Sequence, residues 1–187
     1  MSDVKWRPAI IYDVYTQHYD IQKIKEFVKE NSIAEILYVI TDGFVRNQKP
    51  ESQIFSIPDE DDFLKILTLS NLRCNLTTLF IGTMCQGSKV DLFLTGNKRL
   101  VADRSVFLLE DIYCNLQQPD VYRKNRYDYI ADQTGLDLKT VLKKLSYENN
   151  NYRKIEIDDI MRYNIAHQKL SKEEVTDILN QDFVYFN

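Results

Sequence analysis

The chain has 187 residues, with 24 basic and 28 acidic side chains and a net charge of −4. That balance excludes a general electrostatic footprint for nucleic acid, and no apolar stretch reaches the ~20 residues that a membrane span requires. Hydrophobic content of 44%, with 12 Tyr and 9 Phe, is enough for one substantial core and argues against a disordered or metal-stapled chain.

In chain order, Ile10 and Ile11 open a short strand. "DIQKIKEFVKEN" follows, with Ile21, Ile24, Phe27 and Val28 at helical spacing. "AEILYVIT" is apolar at consecutive positions, which suits a central parallel strand covered on both faces. Gly43 ends it, and residues 44–58 read as loop. The acids of "DEDD", residues 59–62, fall in the first turn of a helix carrying Phe63, Ile66 and Leu67. "LFIGTMCQGSKVDLFLTGNKR", residues 79–99, predicts a strand, a tight turn and a helix. "RLVAD" and "SVFLLED" read as two further strands.

From Pro119 the pattern turns helical. "VYRKNRYDYIADQTG" ends at Gly135, a natural C′ residue, and Arg123, Lys124 and Arg126 are expected on its solvated face. "DLKTVLKKLSYEN" reads as the next helix, with Asp137 as N-cap. "IDDIMRYN" predicts one or two helical turns and "IAHQKL" an edge strand. "SKEEVTDILN" opens with a capping-box pattern, Ser171 to Glu174, and sets Val175, Ile178 and Leu179 on one face. The expected organisation is one α/β domain over 1–170 with a mainly parallel sheet, then a C-terminal helix and apolar tail over 171–187. That tail, with Phe183, Tyr185 and Phe186, must pack on its own domain or on a partner.

Cys74, Cys85 and Cys114 lack metal-ligand spacing and leave an odd count, which favours a reducing compartment. "MSDVKWRPAIIYDVY" lacks the basic and apolar regions of a signal peptide, so the expected location is cytoplasmic, without metal or cofactor.

The order of these segments and of their glycines resembles the proteolytic subunit of the Clp protease (ClpP), a branch of the ClpP/crotonase superfamily. "EILYVITDGFV" is similar to that family's strand and Gly-Gly loop, and "LFIGTMCQGSKVDLFLTGNKR" to its nucleophile segment. "LVADRSVFLLEDI" resembles the next strand pair, and the stretch from "YIADQTG" to "RYNIA" resembles the distal helix and the segments after it. The match covers residues 7–170 with no single motif intact. Where the family has Tyr-Gly near its end, this chain has Tyr163-Asn164, and asparagine is the next-best residue for a left-handed cap.

The resemblance implies a spiral of strand–strand–helix units and a Ser–His–Asp site for peptide hydrolysis. Carried across residue by residue, that site is altered everywhere. Anchored on "LTGNKR" the family serine falls on Gly87, with Ser88 one place later; anchored on Gly82 it falls on Gln86. One residue of slip turns a helical side chain by about 100°, so Ser88 is either a displaced nucleophile or a helix cap. The family histidine falls on Glu110, and the chain's two histidines, His18 and His167, lie elsewhere. The orienting aspartate falls on Lys144 or its neighbours. The oxyanion loop becomes Asp42-Gly43-Phe44-Val45, which sets an acid against a developing oxyanion, although Asp42 also suits a turn beside Gly43.

Two alternative arrangements remain, a Ser88–Lys144 dyad, which needs a desolvated lysine, and Cys85 as nucleophile, which needs a nearby base. The family's ring-locking handle is shortened here to residues 113–132, and its unfoldase-facing axial loop has no counterpart, which weakens the expectation of double rings and of unfoldase docking. The expectation is therefore a catalytically silent ClpP-like protein with a structural, assembly or regulatory role. Self-association, or mixing with ClpP-like paralogues, would be its mode of action. The alternatives are a serine hydrolase using Ser88, and a crotonase-like binder of an acyl or anionic ligand contacted by Lys98, Arg99 or Arg104.

Overall fold

Strand β2 (Glu35–Thr41) accounts for its own unbroken apolar run. Its Ile36, Tyr38 and Ile40 join one core cluster, while Leu37 and Val39 join a second on the opposite face. A computed structural model describes residues 8–13, 21–42, 60–111, 119–147 and 152–186 of the chain. Gly43, His18 and Cys114 lie outside the described residues.

Around β2 the other strands build a six-stranded sheet. They are β1 (Ala9–Tyr12), β3 (Asn75–Ile81), β5 (Lys98–Ala102), β8 (Gln168–Leu170) and β9 (Val184–Tyr185), in the order β8-β5-β3-β2-β1-β9. Every pairing in it is parallel, and β2 and β3 run in register from Glu35↔Asn75 to Thr41↔Ile81. A second, three-stranded sheet has the order β4-β6-β7, from β4 (Met84–Gln86), β6 (Val106–Glu110) and β7 (Tyr152–Ile155). There β4 is parallel to β6, and β7 is antiparallel to it.

Seven helices complete the described chain: α1 (Ile21–Glu30), α2 (Glu60–Ser70), α3 (Ser88–Leu94), α4 (Pro119–Thr134), α5 (Leu138–Lys144), α6 (Ile157–Arg162) and α7 (Lys172–Leu179). Helix α3 packs against β3, β4, β6, α2 and α4, so it stands between the two sheets. Phe107 of β6 is the hinge of this packing, edge-on to Phe80 at 5.7 Å and to Phe93 of α3 at 5.0 Å. On the far face of the large sheet, Val175, Ile178 and Leu179 of α7 and the buried Phe183 cover Ile10, Leu37, Leu79 and Leu100. The tail then lies along the chain's own β1, with Phe186 edge-on to Phe27 at 5.4 Å.

Local signals place several ends. Asp137 accepts a hydrogen bond from the Thr140 amide at 2.9 Å and caps α5. Ser171 and Glu174 close a reciprocal capping box at α7. Asn164 has φ 53°, the left-handed cap that its replacement of glycine anticipates.

Three expectations need correction. The segment 79–99 is not strand, turn and helix, because the three-residue β4 intervenes before α3. The helix after Asp137 stops at Lys144, where Leu145 turns inward as its C-cap, and so does not run through 149. The basic residues of α4 are not one solvated face: Arg126 is buried and Arg123 is ion-paired with Asp111, which leaves Lys124 exposed. Strands β7 and β9 carry too few residues to show a period and were not anticipated. No helix among the described residues is long and apolar enough to cross a membrane.

Candidate functional site

The parallel register of β2 and β3 sets Asp42 beside Gly82 at the carboxyl ends of the central strands. This is the position where open α/β sheets hold ligands. The Asp42 carboxylate accepts from the Thr83 amide at 2.8 Å, the Thr83 hydroxyl at 3.0 Å and the Met84 amide at 2.9 Å. Only glycine admits so close an approach: a Cβ on Gly82 would stand 2.4 Å from Asp42 Oδ1 and 2.8 Å from Phe80 Cζ. The chain's own carboxylate thus occupies two backbone donors of this turn, the Thr83 and Met84 amides.

Strand β4 leads into Gly87, which joins it to α3 with φ 62° and ψ −133°. Side chains avoid that conformation, and the turn is a sharp strand-to-helix elbow. Gly87 is buried, and its amide donates to the Leu108 carbonyl of β6 at 3.2 Å. Ser88 is half-buried and is the first residue of the helix. The N-cap is Gly87, so the reading of Ser88 as the cap is corrected. Gln86, the other candidate for the family serine, is exposed on β4.

Arg126 of α4 enters this elbow from the side. Its side chain is 2% exposed and pairs with Asp91 of α3, which is 8% exposed, at 3.0 Å. The same guanidinium donates to the Gly87 carbonyl at 3.1 Å and to the Glu110 carbonyl at 2.5 Å. One buried cation therefore joins the elbow, the first turns of α3 and the end of β6. Tyr129 adds a bond to the Asp91 carbonyl at 3.0 Å. The half-buried Glu110 carboxyl is pushed above its ordinary range by desolvation, which the Arg126 charge offsets only in part. Beside it the buried Asp111 accepts from Arg123, whose guanidinium is held firmly in its charged form by that hydrogen bond.

On the other side of α3, Lys89 lies 3.3 Å from the Thr41 carbonyl and 3.5 Å from Asp13. Asp13 is buried, 2.9 Å from Lys65 and 2.8 Å from the Tyr38 hydroxyl.

The remaining sequence candidates do not converge on the elbow. Lys144 is exposed at the carboxyl end of α5, not desolvated as a dyad lysine must be. Cys85 is fully buried and its thiol is pushed well up by desolvation, so it is a thiol packed in the core. His167 stands at the opposite end of the large sheet, beside the start of β5 and β8. Arg99 is buried and committed to the carbonyls of Gly96, Asn164 and Ile165, which corrects its reading as an anion contact. Lys98 and Arg104 are exposed at opposite ends of β5 and form no common pocket.

Sequence reasoning missed Arg126 and Asp91, although a signal exists. Arg126, Tyr127, Ile130 and Thr134 repeat on the buried face of α4, and Asp91 is the one acid inside the apolar run "VDLFL". Two opposite charges, each on an otherwise buried face, are expected to meet.

No protein-family model matches the sequence, and no curated protein matches it either. Solved structures do. ClpP1 from Listeria monocytogenes is similar over 89% of this chain and 92% of its own, with TM-score 0.62 at 12% identity. A peptidase from Plasmodium falciparum matches over 87% and 95%, with TM-score 0.62 at 14% identity. An enoyl-CoA hydratase/isomerase from Marinobacter aquaeolei matches over 92% and 66%, with TM-score 0.59 at 14% identity. The chain has the ClpP/crotonase-like fold.

Proposed function

We propose that this chain is a catalytically silent ClpP-like protein that acts by assembly or regulation rather than by peptide hydrolysis. The observation that carries the reading is the Arg126 clamp, which ties the elbow carbonyl of Gly87 to the carbonyl of Glu110. A serine mechanism needs a nucleophile at the elbow and a base free to take its proton. Here the elbow residue has no side chain, and the position carried over from the family histidine holds a glutamate beside a buried cation. Asp42 adds to this, because a carboxylate already occupying the turn's amides opposes a second negative charge there. A dyad of Ser88 with Lys144 lacks the buried lysine that it needs, because Lys144 is exposed, and no ligand pocket unites Lys98, Arg99 and Arg104.

The exposed Val121 and Tyr122 at the start of α4 support assembly as the mode of action, with self-association or a ClpP-like paralogue as partner. A fluorophosphonate probe tests the silent part. Wild type and Ser88→Ala are expected to label alike, at background, and labelling that depends on Ser88 would overturn the reading. Light scattering tests the rest: a chain that stays monomeric and retains no ClpP-like paralogue on co-expression would refute a role in assembly.

A further inference from the structure

We infer that His167 is an acid-sensitive latch holding β8 and α7 against the large sheet. The ring lies between two donors of one residue. Nδ1 is 3.1 Å from the Arg99 amide and Nε2 is 2.9 Å from Arg99 Nη2, while the His167 amide donates to the Arg99 carbonyl at 2.8 Å. A neutral imidazole can accept from one of these donors. An imidazolium can accept from neither, and it would set a second cation against the first.

Arg99 is the fixed partner. It is buried, and its guanidinium is held by the carbonyls of Gly96, Asn164 and Ile165, just past the carboxyl ends of α3 and α6, where helix dipoles favour a cation. His167 lies at the surface, with its ring partly desolvated against Arg99. The charges acting on it are Arg99 and Lys98, both cations of β5, and among the described residues no carboxylate offsets them. Tyr129 of α4 acts on Arg99. Burial and these two cations hold the imidazole below its ordinary range.

The consequence follows from chain order. His167 leads directly into β8, an edge strand whose Leu170 carbonyl accepts from the Asp103 amide at 2.9 Å. The capping box at Ser171 then starts α7, which covers the far face of the sheet. Loosening the latch therefore loosens the cover over Leu37, Leu79 and Leu100.

The sign is determined by the lowered ring. A histidine whose folded pKa lies below its unfolded value contributes its full stability above about 6.5, the ordinary value, and loses it as pH falls towards the folded value. Amide exchange between pH 8 and 5, corrected for intrinsic rates, tests this. The opening constants of the Arg99 amide and of α7 are expected to rise by up to tenfold per pH unit below the unfolded titration. In His167→Gln, whose side-chain oxygen can accept without titrating, they are expected to stay flat. Equal pH profiles in the two proteins would overturn the latch. So would a ring that titrates at or above its ordinary value by NMR in the wild type, a measurement that needs no variant.

Discussion

Replacing Arg126 with methionine keeps most of the side chain's apolar stem and removes the guanidinium, leaving Asp91 8% exposed without that counter-ion. Breaking one side of a buried ion pair costs about 3–5 kcal/mol, because the remaining charge is stranded. The Glu110 carbonyl loses a charged donor as well, while Gly87 keeps the bond that its carbonyl accepts from the Val90 amide. For a chain of this length, such a loss lowers the melting temperature by roughly 6–20 °C. Urea denaturation of Arg126→Met, Asp91→Leu and the double variant reads the pair directly. Removing both charges is expected to cost less than the sum of the single losses, by a coupling energy of about 2 kcal/mol. Additivity within about 0.5 kcal/mol, or a single variant as stable as wild type, would refute the clamp.

Two glycines give sharper local tests. Gly87→Ser introduces a hydroxyl at the elbow but forces a side chain onto φ 62° and ψ −133°, so it is expected to cost about 1–3 kcal/mol in chemical denaturation. It is also expected to gain no fluorophosphonate labelling, because β6 still ends in Glu110. Gly82→Ala puts a Cβ 2.4 Å from Asp42 Oδ1 and is expected to expel that carboxylate from the turn. Exchange of the Thr83 and Met84 amides should then rise at least tenfold, and unchanged protection would show that Asp42 does not hold them.

What was legible in the sequence was what a short window determines. β2 revealed itself because a strand buried on both faces needs apolar residues at consecutive positions, and Ile36 to Ile40 supply them. The Ser171 capping box and the Asp137 cap were legible because both partners lie within three residues. The clamp was not, since its partners come from positions 87, 91, 110 and 126 and meet only once β6, α3 and α4 are packed. The end of α5 was obscured for a similar reason. Leu145 continues the helical spacing of Leu138, Val141 and Leu142, yet it is a C-cap, and the chain turns so that Tyr147 packs on Tyr127 at 5.5 Å. Alignment alone left the elbow between Gln86 and Gly87, and the backbone turn falls at Gly87.

An elbow of this shape persists only where its surroundings over-determine it. Three elements do so here: β6 through the Gly87 amide, α4 through the Gly87 carbonyl, and α3 through the Asp91 that anchors the same guanidinium. None of these contacts uses a nucleophile, an imidazole or a free oxyanion donor. Stability and proton-transfer chemistry are therefore separable at this turn, and on the proposed reading the chain keeps the first while residues 87, 110 and 144 fill none of a triad's three roles. If the chain is silent as proposed, the same separation predicts that introducing one group alone gives no hydrolysis. A serine at the elbow without a base remains an ordinary alcohol, and a histidine in place of Glu110 would face the Arg126 cation, which lowers its basicity. On the proposed reading, placing a working base beside this elbow would mean changing the clamp itself, and with it the packing of α4 on α3.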